Sequence, residues 1–281
     1  MYSEGKINYL HFNAAGVLLP PTDFKETVGV FLAEHGEAKI QLGAESVMLA
    51  CGRVLFVPEG VVAYAASEAE AALTLLTYPV SMLRENMELL DRELFEMFLL
   101  QARTLPVILD DGDDIYFRVV DAVRSAETEY LSKETCYGLA MRAQICRLTA
   151  LFLRRYARQG RASDERLLYH NVARFGEVLS YVQTHLDEKL TVPLLAERVH
   201  LSADYFSHLL DNVTSKTATH YLRSVRINAA MRYLLETDMT VSAVARAVGF
   251  GTGDYLSRLF RQCTSLTPAS FRAMCRNDLR V

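Results

Sequence analysis

The C-terminal hundred residues of this 281-residue chain contain an internal repeat. Residues 191–201 (TVPLLAERVHL) align with residues 240–250 (TVSAVARAVGF), 49 positions further on. After the next turn the offset becomes 50, and residues 205–210 align with residues 255–260. A repeat of about 50 residues restricts this part of the chain to a fold built from two similar supersecondary units.

Each copy has the pattern of a helix-turn-helix. Thr191 and Thr240 stand where a helix N-cap is expected, and Pro193 falls within the first helical turn, where its missing N–H costs little. Gly249 suits a turn that requires a positive φ. The sequence therefore predicts two helix-turn-helix units.

The segment between the units, residues 217–236, is predicted to be a single helix. Twenty residues at about 1.5 Å each give roughly 30 Å, close to the roughly 34 Å between successive major-groove faces on one side of B-DNA. Two recognition helices, at about 203–213 and 252–263, would then enter adjacent grooves.

Residues 174–276 resemble the DNA-binding domain of the AraC/XylS family of transcription regulators. The resemblance rests on the segments VARAVGF at 244–250, YLSRLFR at 255–261 and LTPASFR at 266–272. It implies seven helices with two helix-turn-helix units, preceded by a cupin-like sensing and pairing domain. A sequence-specific, ligand-responsive regulator is the function that this resemblance implies.

The second recognition helix carries polar side chains on its outward face. We expect Arg258 to read guanine and Gln262 to pair with adenine, while Arg261 and Arg272 meet phosphates. The alternative is that Arg258 and Arg261 only form a solvated face. The outward positions are Thr252, Gly253, Asp254, Ser257, Arg258, Arg261 and Gln262.

The first recognition helix departs from the family pattern. Asp211 and Asn212 stand where the family often places lysines, and His208 stands at an arginine position. Because an acid facing a phosphate is repulsive, we expect affinity to depend more on the second unit. The DNA-binding residues predicted here are Ser202, Ala203, Asp204, Ser207, His208 and, after the helix, Lys216.

The first eighty residues have the pattern of short strands, rich in β-branched and aromatic residues and separated by turn residues. Many short strands at close spacing are typical of a sandwich or barrel. The segment 48–60 resembles the strand-turn signature of small cupin barrels. The predicted strands are 6–12, 27–34, 38–42, 45–49, 53–58 and 71–78.

From residue 81 the period becomes that of helices, which we predict at 82–103, 113–131 and 133–158. The last helix either lies on the barrel or pairs two subunits. We thus expect an α+β protein, composed of a cupin-like β-barrel sensing domain at 1–80, helices at 81–158, a linker at 159–170 and an all-α double helix-turn-helix domain at 171–281.

The N-terminal region offers few groups for chemistry. It has only His11 and His35, whereas a metal-dependent cupin needs a histidine cluster with a carboxylate, so we predict no metal, no cofactor and no catalytic residue. No nucleophile elbow, Walker loop or dinucleotide fingerprint occurs. A small barrel can still hold a ligand. His11, Arg53 and Tyr64 are candidate polar contacts for an effector, although each could equally be a surface residue.

Charge is distributed unevenly along the chain. Residues 1–173 hold 17 Lys and Arg against 24 Asp and Glu (net −7), while residues 174–281 hold 13 against 10 (net +3). The five cysteines form no C-x-x-C pair, and no signal pattern or long apolar run occurs. We therefore expect a soluble, cytoplasmic protein that does not associate with a membrane.

The expected partners are double-stranded promoter DNA, a small-molecule effector and a second copy in a homodimer, and RNA polymerase is a candidate. Two rival functions remain open at this point. One is a metal-dependent cupin enzyme fused to a DNA-binding domain. The other is a non-sensing architectural DNA-binding protein, for which the C-terminal charge of +3 is small.

Overall fold

The computed structural model describes residues 7–85, 87–159, 178, 181–214 and 216–277. Its N-terminal part is a seven-stranded antiparallel sheet in the order β4-β3-β6-β2-β5-β7, with β1 paired to β6. The strands are β1 Asn8–Asp23, β2 Thr27–His35, β3 Glu37–Leu42, β4 Glu45–Ala50, β5 Val54–Val57, β6 Val62–Pro79 and β7 Val107–Leu109.

The sheet curls around β6 into a half-barrel with two buried faces. Alternate residues of β6 point to opposite sides: Leu73 and Leu75 lie among the apolar side chains inside the curl, and Leu76 and Tyr78 lie against the helices outside. The α+β class is confirmed. The predicted barrel is an open half-barrel, because β4 and β7 are the edge strands of the sheet and do not pair with each other within the described residues.

Two features of the sheet differ from the sequence prediction. Strand β6 begins at Val62 rather than at residue 71. The prediction missed this start because alanine has a low strand propensity, whereas the small side chains of Ala63 and Ala65 suit the tight, buried site that they occupy. Strand β7 lies between the helices predicted at 82–103 and 113–131, where no strand was predicted, and it pairs with β5. The sheet therefore extends beyond residue 80.

The described part of residues 81–158 contains four helices, two before β7 and two after it: α1 Ser81–Arg84, α2 Leu89–Ala102, α3 Tyr116–Ser132 and α4 Tyr137–Arg158. Helix α4 buries its apolar stripe on the outer face of the sheet, where the ring centroid of Phe152 is 5.1 Å from that of Phe56. Phe98 of α2 completes this contact at 4.8 Å from Phe56. Of the two roles considered for this helix, packing on the sheet is therefore observed.

The C-terminal region contains α5 Val192–Arg198, α6 Ala203–Thr214, α7 Ala218–Glu236, α8 Val241–Ala247, α9 Gly253–Thr264 and α10 Pro268–Asn277. The predicted caps form, since the hydroxyls of Thr191 and Thr240 accept hydrogen bonds from the N–H groups of Leu194 and Ala243. The turn after α8 has φ +76° at Gly249, as predicted. The predicted linker lies, apart from Gln159, outside the described residues.

The sheet and the C-terminal helices share their cores. One continuous apolar cluster runs from the outer face of the sheet through α2 to Phe206 and Leu210 of α6. Val62 and Tyr64 of β6 belong instead to the core around α7, α8 and α9. Each helix-turn-helix unit is therefore packed against a different part of the N-terminal domain.

Candidate nucleic-acid interface

The second recognition helix, α9, is held by one face and open on the other. Leu256, Leu259 and Phe260 are buried in the core. The guanidinium carbon of Arg258 lies 5.2 Å from the centre of the Tyr255 ring, which steadies this long side chain on the open face. The exposed predicted residues are Thr252, Asp254, Arg258, Arg261 and Gln262.

Two predicted residues of this unit have structural reasons for their identity. Thr252 is the N-cap of α9, because its hydroxyl accepts from the N–H of Tyr255 at 3.3 Å. At Gly253 a Cβ would lie 2.8 Å from the hydroxyl of Ser242, so glycine allows α9 to approach α8 closely. Ser257 is half-buried.

The first recognition helix, α6, presents a less basic face. Ser202 caps the helix by accepting from the N–H of Tyr205 at 3.2 Å, and the Ser207 hydroxyl donates to the carbonyl of Ala203 at 2.8 Å. Ala203 and Ser207 are half-buried. The side chains exposed for contact are Asp204, His208, Asp211 and Asn212.

Lys216 and Arg272 have protein partners. The ammonium of Lys216 forms an ion pair with Glu45 of β4. Arg272 donates from Nη2 to the carbonyl of Met239 at 2.6 Å. Because both cations already have protein partners, the structure favours a structural role for these two residues over the predicted DNA contact. The sequence did not reveal these partners, since they are distant along the chain.

Sequence reasoning missed the contacts that orient the two units. Asp23 of β1 binds Arg232 of α7 through two hydrogen bonds of 2.5 and 3.0 Å. Asn228 of α7 accepts from the N–H of Val62 at 2.8 Å and donates to the carbonyl of Gly60 at 2.5 Å. No periodic pattern joins residues about 170 to 210 positions apart, so no sequence signal could have found these pairs.

The three candidate effector residues lie in different surroundings. His11 is on the outer face of the sheet, with Nδ1 3.2 Å from the Thr74 hydroxyl and 3.6 Å from the Glu34 carboxylate. Arg53 is exposed before β5. Tyr64 is buried against the C-terminal helices, and burial raises its pKa to about 12. The structure does not bring these three side chains together.

A cavity of about 380 Å³ lies between the N-terminal domain and α7. Buried Glu59 is at one wall, where Arg103 Nη2 donates to its carboxylate at 3.0 Å. Although burial opposes the charge of Arg84, its hydrogen bonds to Glu96 and Glu59 raise its pKa. The charged side chains lining the cavity are Lys25, Glu26, Glu59, Arg84, Arg103 and Arg232.

Comparison with known proteins identifies the C-terminal units. A family model described as "Helix-turn-helix domain" matches residues 195–274. The arabinose operon regulatory protein of Escherichia coli is 34% identical over 112 residues, which cover 38% of this chain and 38% of that protein. The C-terminal helix-turn-helix region is therefore similar to that of AraC-family regulators.

Two further comparisons define the extent of this likeness. The bifunctional transcriptional activator/DNA repair enzyme AdaA of Bacillus subtilis is 31% identical over 101 residues, covering 36% of this chain and 48% of that protein. The chain thus spans less than half the length of these two relatives. The structure of ToxT from Vibrio cholerae bound to an unsaturated fatty acid has a TM-score of 0.52, with 12% identity, over 97% of this chain and 98% of that one. That comparison supports the same fold through both regions.

Within the part of the chain that the structure describes, no helix is both long and apolar enough to cross a membrane. In the same residues, no group of three or more His, Cys, Asp or Glu side chains is arranged to hold a metal ion.

Proposed function

We propose that this protein is a transcription regulator that binds promoter DNA through α6 and α9. The observation that carries the proposal is the placement of two repeat-equivalent helices, each with an exposed polar face, on either side of one 19-residue helix, α7. At about 1.5 Å per residue α7 is roughly 28 Å long, which suits recognition helices in successive major grooves.

The two units contribute unequally in this proposal. The open face of α9 offers Arg258, Arg261 and Gln262, whereas the open face of α6 offers His208 beside Asp204 and two further polar residues. A bidentate arginine contact to guanine discriminates by about 1–3 kcal/mol, and acids near phosphates oppose binding. Affinity therefore depends chiefly on the second unit.

The test begins with selection of binding sites from a random DNA library by the full chain. Affinity for the selected site is then measured by fluorescence anisotropy. Arg258→Ala is expected to weaken binding about 10- to 100-fold, since it removes a base contact. His208→Ala is expected to weaken binding by a smaller factor.

Arg118→Ala is the matched control, because Arg118 is exposed on α3, which is not part of either helix-turn-helix unit. Failure of the wild-type chain to enrich any sequence would contradict the proposed function. A larger loss for His208→Ala than for Arg258→Ala would contradict the ranking of the units.

The proposed effector site is the cavity between the N-terminal domain and α7. ToxT, which shares the fold, has been solved with an unsaturated fatty acid. Arg84, Arg103 and Arg232 are paired with carboxylates, which leaves the exposed ammonium of Lys25 to attract an anionic head group. We propose that an amphipathic carboxylate binds here and alters DNA affinity through the contacts of α7 with the sheet.

Titration with a long-chain unsaturated fatty acid tests the effector site. Thermal unfolding and DNA affinity are measured at each fatty-acid concentration. Lys25→Ala should weaken fatty-acid binding several-fold, because Lys25 is an exposed cation at this cavity. Lys133→Ala, on the exposed α3–α4 turn, is the control. Equal binding by both variants would exclude this cavity as the site.

We propose further that the protein acts without catalysis, in the cytoplasm, as a homodimer that can contact RNA polymerase. If the protein were instead a metal-dependent enzyme, the purified chain would contain stoichiometric metal, which elemental analysis would detect. The rival of an architectural protein predicts equal affinity for all sequences. Light scattering at micromolar concentration tests the dimer.

A further inference from the structure

Both recognition helices end at a threonine, at the repeat-equivalent positions 214 and 264, and the two hydroxyls make equivalent contacts. The hydroxyl of Thr214 lies 2.7 Å from the carbonyl oxygen four residues earlier and accepts from the N–H two residues later at 3.3 Å. The hydroxyl of Thr264 makes the same two contacts at 2.8 and 3.2 Å. Both threonines are buried, so these two side chains are parts of the core.

The N-terminal domain contacts each of these threonines at its backbone carbonyl oxygen. The Thr104 hydroxyl donates one hydrogen bond that is shared between two carbonyl oxygens, those of Thr214 and Gln101, each at 2.9 Å. The Tyr64 hydroxyl donates to the carbonyl of Thr264 at 2.9 Å. Carbonyls in the last turn of a helix have no partner within that helix, and these two find theirs in the N-terminal domain.

The hairpin of β3 and β4 joins the two contact points. On the side of the second unit, Gln41 Nε2 donates to the carbonyl of Cys263 at 3.1 Å, and the ammonium of Lys39 donates to the Ser265 hydroxyl at 2.8 Å. On the side of the first unit, Glu45 holds Lys216 in an ion pair.

The turn of this hairpin lies on the helix that connects the units. A Cβ added at Gly43 would lie 3.1 Å from the side-chain oxygen of Asn228 in α7. The hairpin therefore contacts both units and the helix between them, while His208 and Arg258 remain exposed.

We propose that Tyr64 and Thr104 are positioning residues that fix the relative placement of the two recognition helices. The N-terminal domain thereby sets which separation of half-sites on DNA the chain accepts. This inference rests on the proposed function and assigns the spacing specificity of that function to two residues that do not touch DNA.

The experiment measures affinity for the selected DNA site and for versions with one to five base pairs inserted between its half-sites. Wild-type protein should prefer the original spacing strongly. Tyr64→Phe and Thr104→Val each remove one hydroxyl contact, and the preference for the original spacing should fall about 3- to 10-fold in each, and further in the double variant. Thr104→Ser, which keeps the hydroxyl, should restore the wild-type ratio.

Matched controls separate spacing from stability. Tyr233→Phe and Thr128→Val remove exposed hydroxyls from α7 and α3 and should leave the ratio unchanged. Thermal unfolding establishes that each variant is folded at the assay temperature. An effect on stability alone would lower affinity for all spacings equally and would overturn the inference.

An unchanged spacing preference in the folded double variant would also overturn it. Tighter binding to the original site would do the same, because it would mean that the contacts hold the units in an arrangement that opposes DNA binding. Neither result would alter the proposed function, which fails only if the wild-type chain selects no site.

Discussion

The buried Tyr64 hydroxyl makes a hydrogen bond whose contribution to stability depends on pH. The residue is 5% exposed, and burial raises its pKa from 10.0 to about 12. The contact with the Thr264 carbonyl needs the protonated phenol. The folded-state pKa exceeds the unfolded value, so this stabilisation is complete below pH 10 and is lost as pH rises through 12.

We therefore expect the free energy of unfolding to fall by up to about 1.4 kcal/mol per pH unit between pH 10 and 12 from this residue. Urea unfolding at pH 9, 10 and 11 measures it. Tyr64→Phe should show a shallower decrease than the wild-type chain, with the other buried tyrosines unchanged in both. Parallel curves would contradict the assignment to Tyr64.

Arg272 provides a second test at the scale of a residue. Because its guanidinium binds the carbonyl of Met239, Arg272→Ala should lower the free energy of unfolding by about 1–3 kcal/mol. The slope of log affinity against log salt should stay the same. A slope reduced by about one would instead indicate the phosphate contact predicted from the sequence.

At the scale of elements, the turns of the two units use different residues for the same backbone conformation. Gly249 has φ +76°, and His200, at the equivalent position of the first copy, has φ +55°. A left-handed conformation costs a residue with a Cβ about 1–2 kcal/mol. The second copy avoids this cost, and packing explains why its glycine is needed.

A Cβ at Gly249 would lie 2.1 Å from the carbonyl oxygen of Leu186, whereas a Cβ at Gly251, φ +75°, would meet nothing within 4 Å. Gly249→Ala should therefore destabilise the protein by about 3 kcal/mol or more, and Gly251→Ala by about 1 kcal/mol. Thermal or urea unfolding of the two variants compares them. Equal losses would show that backbone strain alone matters here.

Local patterns predicted the elements more fully than their assembly. The threonine caps and the apolar stripe of α4 follow from spacing along the chain, which a sequence displays directly. The early start of β6 was hidden because Ala63 and Ala65 are chosen for small size in a tight interior. The contacts of Tyr64 and Thr104 were hidden because they depend on how two domains meet.

For the whole molecule, the shared cores indicate that domains joined by a predicted linker behave as one folding unit. The apolar cluster around Phe56 and Phe98 continues to Phe206 of the first unit. We expect urea unfolding to be a single transition, with circular dichroism and tyrosine fluorescence giving the same midpoint. Phe98→Ala should lower that midpoint for both probes, through a loss of about 3–5 kcal/mol.

Two separated transitions, or a shift in only one probe, would show that the units unfold independently. Phe117→Ala is the control for this experiment, since that ring is 69% exposed on α3.

The division of charge along the chain also has a structural counterpart. The N-terminal part is acidic and the C-terminal part is basic. Among the described residues two ion pairs join these parts, Asp23 with Arg232 and Glu45 with Lys216. The small positive charge available for DNA is thus further reduced in this arrangement. Binding should weaken with salt less steeply than the C-terminal charge alone would give.

The equivalent threonine contacts at the ends of the two recognition helices have a practical consequence for protein engineering. The N-terminal domain contacts the last residue of each recognition helix, whereas the exposed residues of that helix lie along its outer face. Under the proposed function, exchanging the outer residues of α9 for those of a known DNA-binding regulator would leave these contacts intact. A library varied only at positions 254, 258, 261 and 262 should therefore yield proteins with new target sequences and the original domain arrangement.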